Sequence, residues 1–319
     1  MRRRVAARLG QSIVVTFIVA TISFFVIRSA PGDPFSFTAR PLPHELREQL
    51  REEFGHNKPV AVQYVRYLVN VAHGNFGYSF QRQKMVSAAI AEALPRTLLL
   101  AGVALALTFV IGGVLGVLQA TRGGWFDRVT SAVLLSLYSV PDFWGALMIS
   151  TVVTSLWHGW PVANMVNPVL HDYMGPWAAL WDRVQHLILP ATSLALLSLA
   201  GVARYQRSAM LEVLPSEFIR TARAKGASER TVVWRHALRN ALTPMVTILG
   251  LTLPAFLGGA VFVERVFAWP GLGSLATDAI AALDYHVVTA TVVVGAALVV
   301  IGNLIADLLQ LAVDPRARE

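Results

Sequence analysis

The sequence predicts an all-α integral membrane protein with six transmembrane helices, and three observations carry that prediction. The chain has 319 residues, of which 55% are hydrophobic and only 14% charged; a soluble domain carries about a quarter charged residues. The charge is unevenly spread. Blocks of about 20 residues nearly free of it alternate with short crowded intervals, as expected where ~20 apolar residues must cross a hydrocarbon layer of ~30 Å. The longest polar interval of the second half, about 204–241, is strongly basic. It sets Arg204, Arg207, Arg220, Arg223, Lys225, Arg230, Arg235 and Arg239 against Glu212, Glu217 and Glu229. A large soluble core would instead need short amphipathic elements with polar faces. With no cysteine, disulfides, thiol catalysis and Cys-based zinc sites are excluded.

The elements follow in order. Arg2, Arg3, Arg4 and Arg8 precede an apolar run at 13–27, which Pro31-Gly32-Asp33-Pro34 stops; proline lacks the amide donor and restricts the residue before it. No small-residue cleavage site follows, so the run reads as an uncleaved first span, with the first segment ending near residue 30. Residues 31–96 are polar and of mixed charge and read as a small external subdomain. Within it, Leu46, Leu50 and Phe54 mark one short amphipathic helix, and Val60, Tyr64, Tyr67, Leu68 and Val71 a second; Gly74 to Ser79 reads as a turn. The core transmembrane region is 97–319. Its spans are expected at 97–120, 129–157 (interrupted by Pro141 and Asp142), 186–202, 242–263 and 287–311. Trp160, Trp177 and Trp181 in the 158–185 segment suit a membrane–water interface. Glu264 and Arg265 read as an external surface pair, and His186 as an interfacial or structural residue.

Six spans put both termini on one side. That side holds 16 of the 27 Lys and Arg residues, and eight of the other 11 lie in the long 31–96 segment, where the positive-inside rule weakens. Both termini and the basic segment are therefore expected in the cytosol. The net charge of +8 is mostly this asymmetry, not a nucleic-acid surface.

Inside the basic segment, Ser216 is a good N-cap and Glu217 complements a helix N-terminus. Residues 218–225 suit a helix with cations at its end, and Gly226 allows a left-handed stop. Ser228-Glu229 then caps a helix running to Leu242. A short helix lying on the cytosolic surface, a hinge at Gly226 and a helix returning to the bilayer result; the residues alone are equally compatible with a solvated anchor loop.

Arg220-Thr221-Ala222-Arg223-Ala224-Lys225-Gly226, followed by His236 to Leu242 and Pro244, resembles the cytosolic coupling loop of ABC-transporter permease subunits, and more narrowly the first permease of the dipeptide/oligopeptide/nickel importers. Ala30 to Pro34, Gly74 to Ser79, Leu94-Pro95-Arg96-Thr97, His186 to Pro190, Arg207 to Val213, Pro270-Gly271-Leu272-Gly273, Asp284-Tyr285 and Asp314-Pro315-Arg316 extend the likeness over nearly the whole chain. The broad family pattern has Glu-Ala-Ala where this chain has Arg220, Thr221 and Ala222, a departure it shares with the narrower group.

The resemblance implies a type I ABC importer permease fold in a bacterial inner membrane. It implies two ATP-binding subunits below, a homologous second permease completing a heterodimer, and an extracytoplasmic solute-binding protein. ATP would be bound by the partner and no cofactor by this chain. Glu217, Arg220, Thr221, Ala222, Arg223, Lys225 and Gly226 are then the expected ATPase-coupling residues, and Pro141 and Asp142 the candidate pathway residues. Peptides, nickel chelates and glutathione-like solutes share this scaffold.

The absence of a G-x-x-x-x-G-K-[ST] loop agrees with ATP being bound elsewhere, and neither H-E-x-x-H nor G-x-S-x-G occurs. An ion-gradient-driven transporter or channel acting alone would carry more buried charge and a detectable repeat. An intramembrane protease would need a paired-Asp arrangement within the helices or a His facing Ser136, Ser139, Ser150 or Ser193.

Overall fold

The computed structural model describes residues 2–29, 58–79 and 81–313. The expected helix around Leu46 to Phe54, the Pro31–Pro34 stop and the Asp314-Pro315-Arg316 end lie outside them. The chain divides into two compact units: Leu98–Trp269 with Ile301 onward, and Arg2–Thr97 with Pro270–Val300. Four helices among the described residues are long and apolar enough to cross a membrane, and two bent helix pairs raise the number to six if each counts as one span.

In the second of these units, α1 (Arg2–Ser29) supplies an apolar span at Gly10–Ser29. Its hydroxyls are tolerated because Thr16, Thr21, Ser23 and Ser29 each donate to the carbonyl four residues back. The second amphipathic helix expected from the sequence is α2 (Val60–Ala72). Its tyrosines meet α1: Tyr64 shares a 2.8 Å hydrogen bond with Thr21, and Phe24 packs on Tyr64 and Tyr67.

The Gly74–Ser79 turn leads into a hairpin, β1 (Tyr78–Ser79) paired antiparallel with β2 (Lys84–Met85). At Gly77, with φ +86°, an added Cβ would lie 2.7 Å from the His286 ring. Helix α3 (Val86–Arg122) begins 11 residues before the expected start of the second span, and it carries Pro95 inside. The apolar run alone points to a later start because polar residues and Pro95 interrupt it. The early turns are nonetheless buried, with Val86, Ala89, Ile90 and Ala93 packed on Leu272, Leu275, Ala279, Val287 and Ala290.

The same unit explains three motifs. The turn-rich return after residue 264 contains α11 (Leu272–Ala281), a short apolar helix that the sequence pattern does not announce. Its own cap residue is a glycine, and Thr97 supplies the missing acceptor: Leu272 N–H donates to Thr97 Oγ1 at 2.7 Å. Arg96 donates to the Pro270 carbonyl. Asp284 accepts from Ser79 Oγ at 2.5 Å and from Val287 N–H, tying the hairpin to the start of α12 (Tyr285–Val313).

In the other unit, α3 crosses α6 (Pro176–Val213) at two glycines four apart, Gly112 and Gly116. A Cβ on Gly116 would lie 2.5 Å from the Ala203 carbonyl oxygen and 2.7 Å from Gln206 Cβ. This is the small-xxx-small geometry that lets helix backbones approach in a membrane. The expected third span is two helices, α4 (Gly124–Tyr138) and α5 (Asp142–Leu156), bent by 106° at the Pro141 break. Helix α6 runs 38 residues, well past the expected 186–202 at both ends. It therefore absorbs Trp177 and Trp181 at one end and Arg204 and Arg207 at the other.

Helix α10 (Thr243–Val266) starts with Pro244 in its first turn, where the missing amide costs nothing. The core gathers Leu100, Ala104, Ala146, Leu189, Leu194, Phe256, Ala260, Val263, Phe267 and Trp269. Here one expectation fails. Glu264 is fully buried while Arg265 is exposed, so they are not a surface pair. Two helical positions 100° apart face different surroundings, and Glu264 sits beside Val263 on the core side.

The 158–175 segment is pinned to α6 by one carboxylate. Asp182 is buried and accepts from the Asn167 N–H at 3.0 Å and from His171 Nδ1 at 2.7 Å. His186, also buried, places Nδ1 2.8 Å from the Asp182 carbonyl. Its structural role is as expected.

Candidate functional site: the basic segment after α6

After α6 ends, Ser216 occupies the N-cap position of α7 (Glu217–Ala224) with extended backbone. Its hydroxyl does not cap the helix as the sequence suggested; it donates back to the Val213 carbonyl at 2.6 Å. The N-terminal charge of Glu217 remains in place in the first turn.

Eight residues are too few for a helix to persist alone in water, so tertiary contact must hold α7. Ile219, 0% exposed, supplies it, packing with Val117, Ala209, Met210, Val232, Ala237 and Ala241, and Ala222 leans on the same cluster. The opposite side is bare: Glu217, Arg220, Thr221, Ala224 and Lys225 are exposed, as are Phe218 and Arg223 beside them. Arg220 pairs with Glu217 at 2.8 Å, one turn away.

The helix stop is built as the glycine implied. Gly226 has φ +80°. Its N–H donates to the Arg223 carbonyl at 2.9 Å and the Ala227 N–H to the Ala222 carbonyl at 3.2 Å. Those two bonds, with the Ala222 and Ala227 side chains in one cluster, form a Schellman motif. Across this turn Arg223 reaches Glu229 with two bonds, 2.8 and 3.3 Å. The pair holds the Glu229 carboxyl below its ordinary range, chiefly through the hydrogen bond from Arg223, and raises the guanidinium correspondingly. Gly226 thus sits in a hydrogen-bonded, ion-bracketed turn and not in a loose linker.

Ser228 does cap the next helix, α8 (Glu229–Thr231), accepting from the Thr231 N–H at 3.4 Å. The return to the bilayer is not one regular helix. After α8 comes a π-helical turn, Val232–Ala237, then α9 (Leu238–Ala241). Such turns cluster at functional sites. The widened turn buries Val232 and Ala237 and leaves Trp234 and Arg235 exposed.

Arg207, counted with the basic segment, is committed inward. Its Nε and Nη2 each lie 2.7 Å from an Asp127 carboxylate oxygen, which ties α6 to α4 through a bidentate pair. Pro141 and Asp142 stand apart from the α7 group, exposed at the α4–α5 break. Ile219 and Asp127 are not among the residues the sequence singles out, and Arg235, His236 and Ala237, which it does quote, carry no sign of the π turn they belong to. Only Ile219 leaves a signal there: it and Ala222 are the apolar pair at i, i+3 among charges.

Comparison with known proteins agrees with this architecture. Residues 112–319 match the family described as binding-protein-dependent transport system inner membrane component, and residues 1–101 match the N-terminal region described for such membrane components. The chain is 41% identical over 321 residues to the oligopeptide transport system permease protein AppB of Bacillus subtilis, covering 99% of each. It is 40% identical to a putative peptide transport system permease protein of Brucella abortus, covering 100% of this chain and 99% of that one. It is 37% identical over 337 residues to the dipeptide transport system permease protein DppB of Escherichia coli, with the same coverage. Among solved structures, a chain of the inward-facing MetNI methionine ABC transporter matches with a TM-score of 0.52 at 22% identity, covering 72% of this chain and 94% of that one. The fold is that of a type I ABC importer permease.

Proposed function

The chain belongs to the family of binding-protein-dependent transport system inner membrane components, and from that premise we propose that it imports peptides as one of two permeases lining a shared pathway. The observation that carries this is end-to-end similarity to oligopeptide and dipeptide permeases. A second, homologous permease completes the pathway. Two ATP-binding subunits lie beneath it, and a solute-binding protein delivers substrate from outside. The chain itself is the multi-pass membrane component and hydrolyses no ATP. Both termini and the segment 204–241 face the cytoplasm.

In this reading α7 is the knob that enters the ATPase. Glu217, Arg220, Thr221, Lys225 and the exposed edge of Arg223 make the contact. Ala222 helps seat the helix, and Gly226 fixes the angle at which it leaves. ATP-driven closure of the ATPases moves the paired knobs together. Because α6 runs directly into α7, that motion reaches α6 and, through Asp127, α4. Pro141 and Asp142, at the sharp α4–α5 break, are the pathway candidates, since broken helices present polar groups at membrane depth.

Purification from solubilised membranes tests the reading. An ATPase and a second permease should accompany this chain and be lost when residues 217–226 are replaced by a Gly/Ser linker. Recovery of the chain alone, with transport driven by an ion gradient and indifferent to ATP depletion, would return the segment to a mere topological anchor.

A further inference from the structure

Trp177 and Trp181 share one face of the first turns of α6, and we propose that this face binds the phospholipid headgroups of the leaflet opposite the coupling segment. The proposal rests on the proposed function only in placing Arg204 and Arg207 at a membrane surface; it requires nothing of the ATPase or the substrate.

Trp177 is 84% exposed and Trp181 57%, and Leu180 and Val184 extend the same apolar face. The opposite face is occupied. Asp182 and His186 are buried there, and Asp182 draws the 158–175 segment onto that side through Asn167 and His171. The residue after Trp181 thus holds the neighbouring chain away from the tryptophans and leaves them bare.

Their height matches headgroups. Twenty-three residues separate Trp181 from Arg204 and 27 separate Trp177 from it, about 35 and 40 Å along a helix rising ~1.5 Å per residue. The hydrocarbon layer is ~30 Å thick and the whole bilayer ~40–45 Å. With Arg204 at one surface, the far hydrocarbon edge falls near Val184 and both indoles lie in the headgroup layer beyond it. Indole suits that layer, apolar in its body with an N–H to donate.

Arg183, exposed at the same level, makes no ion pair with a described residue and supplies the cation a phosphate needs. Lipid is favoured over a water-soluble protein because the stripe continues through Val184 toward the span. Its lower edge is already in hydrocarbon.

The chain has no cysteine, so single labels are simple to place. Trp177→Cys and Trp181→Cys, each carrying an environment-sensitive fluorophore, are put into the full transporter in phosphatidylethanolamine/phosphatidylglycerol nanodiscs. Headgroup-nitroxide lipid should quench both labels at least threefold more than lipid spin-labelled at mid-chain, and Arg183→Gln should roughly halve the quenching by headgroup-labelled phosphatidylglycerol. Equal, weak quenching by both lipids would overturn the proposal. So would quenching that is seen with this chain alone and lost in the full transporter, or lost when the binding protein is added, since the occupant would then be protein. ATP-dependent transport in the same discs reports separately on the proposed import function.

Discussion

Ile219→Ala should detach α7, the proposed coupling helix, without unfolding the protein. Ile219 is fully buried and is the principal apolar tether of α7. Truncating a buried isoleucine to alanine costs ~2–5 kcal/mol. The helix has eight residues and cannot persist alone, so the loss falls mainly on its docked state. At about 3 kcal/mol the undocked population rises roughly 160-fold, since each ~1.36 kcal/mol is tenfold. Hydrogen exchange of residues 217–227 in the assembled transporter should accelerate by about two orders of magnitude, while the α3–α6 crossing keeps its protection. Transport should fall further than ATP hydrolysis, because a swinging knob transmits closure poorly. Ile219→Val, costing ~0.5–1.5 kcal/mol, should fall between. Wild-type exchange in 217–227 together with wild-type transport in Ile219→Ala would refute the reasoning, showing that the exposed contacts or the partner hold α7.

Gly226→Val should lower transport with membrane insertion intact. No atom lies within 4 Å of an added Cβ there, so the effect is assigned to backbone strain at φ +80°, on the order of 1–2 kcal/mol, and not to a Cβ clash; unchanged transport would count against the fixed-turn assignment. Gly116→Leu should reduce the yield of folded transporter and its thermal midpoint, because the Ala203 backbone carbonyl cannot move aside; size-exclusion chromatography in detergent reads this. Asp127→Asn should cost about 1–2 kcal/mol, below the figure for a fully buried pair because Arg207 is about one-third exposed. The double variant Asp127→Arg with Arg207→Asp should recover part of it in a melting assay. Glu229, lowered in the folded state by Arg223, favours the bracketed turn above the unfolded carboxylate pKa and loses that contribution as pH falls through the folded value. The protection factor of residues 223–229, taken after correction for the intrinsic pH dependence of exchange, should therefore fall on the acid side and stay level in Glu229→Gln.

Six apolar blocks were legible because hydrocarbon imposes a length and a composition on whatever crosses it. Gly226 and Ser228 were legible because a left-handed turn and a helix start each demand particular side chains locally. What escaped was set by partners distant in sequence. The start of α3 at Val86 depends on Leu272 and Val287, and the cap of α11 on Thr97. The Ser216 hydroxyl could accept from a first-turn N–H of α7 or donate to a carbonyl behind it, and it donates to the Val213 carbonyl. Arg207 looked like one more loop cation until the helix carried it back to Asp127, 80 residues away in the chain. The 106° turn at Pro141 could be located from the proline, but its angle is decided by how α4 and α5 pack on α6.

The close α3–α6 crossing has a mechanical consequence. Ala203, where the Gly116 backbone touches α6, divides that helix unequally, leaving ten residues to Val213 and 27 to Pro176, about 15 and 40 Å. With the crossing as fulcrum these are the arms of a lever, and a displacement of about 1 Å at the short arm becomes about 2.7 Å at the long one. Spin-label distances read near Val213 and near Pro176 across the transport cycle would give that ratio directly, and a ratio near one would mean the helix translates bodily. Under the proposed coupling, a tilting α6 would turn a small stroke at its Val213 end into a larger movement at its Pro176 end.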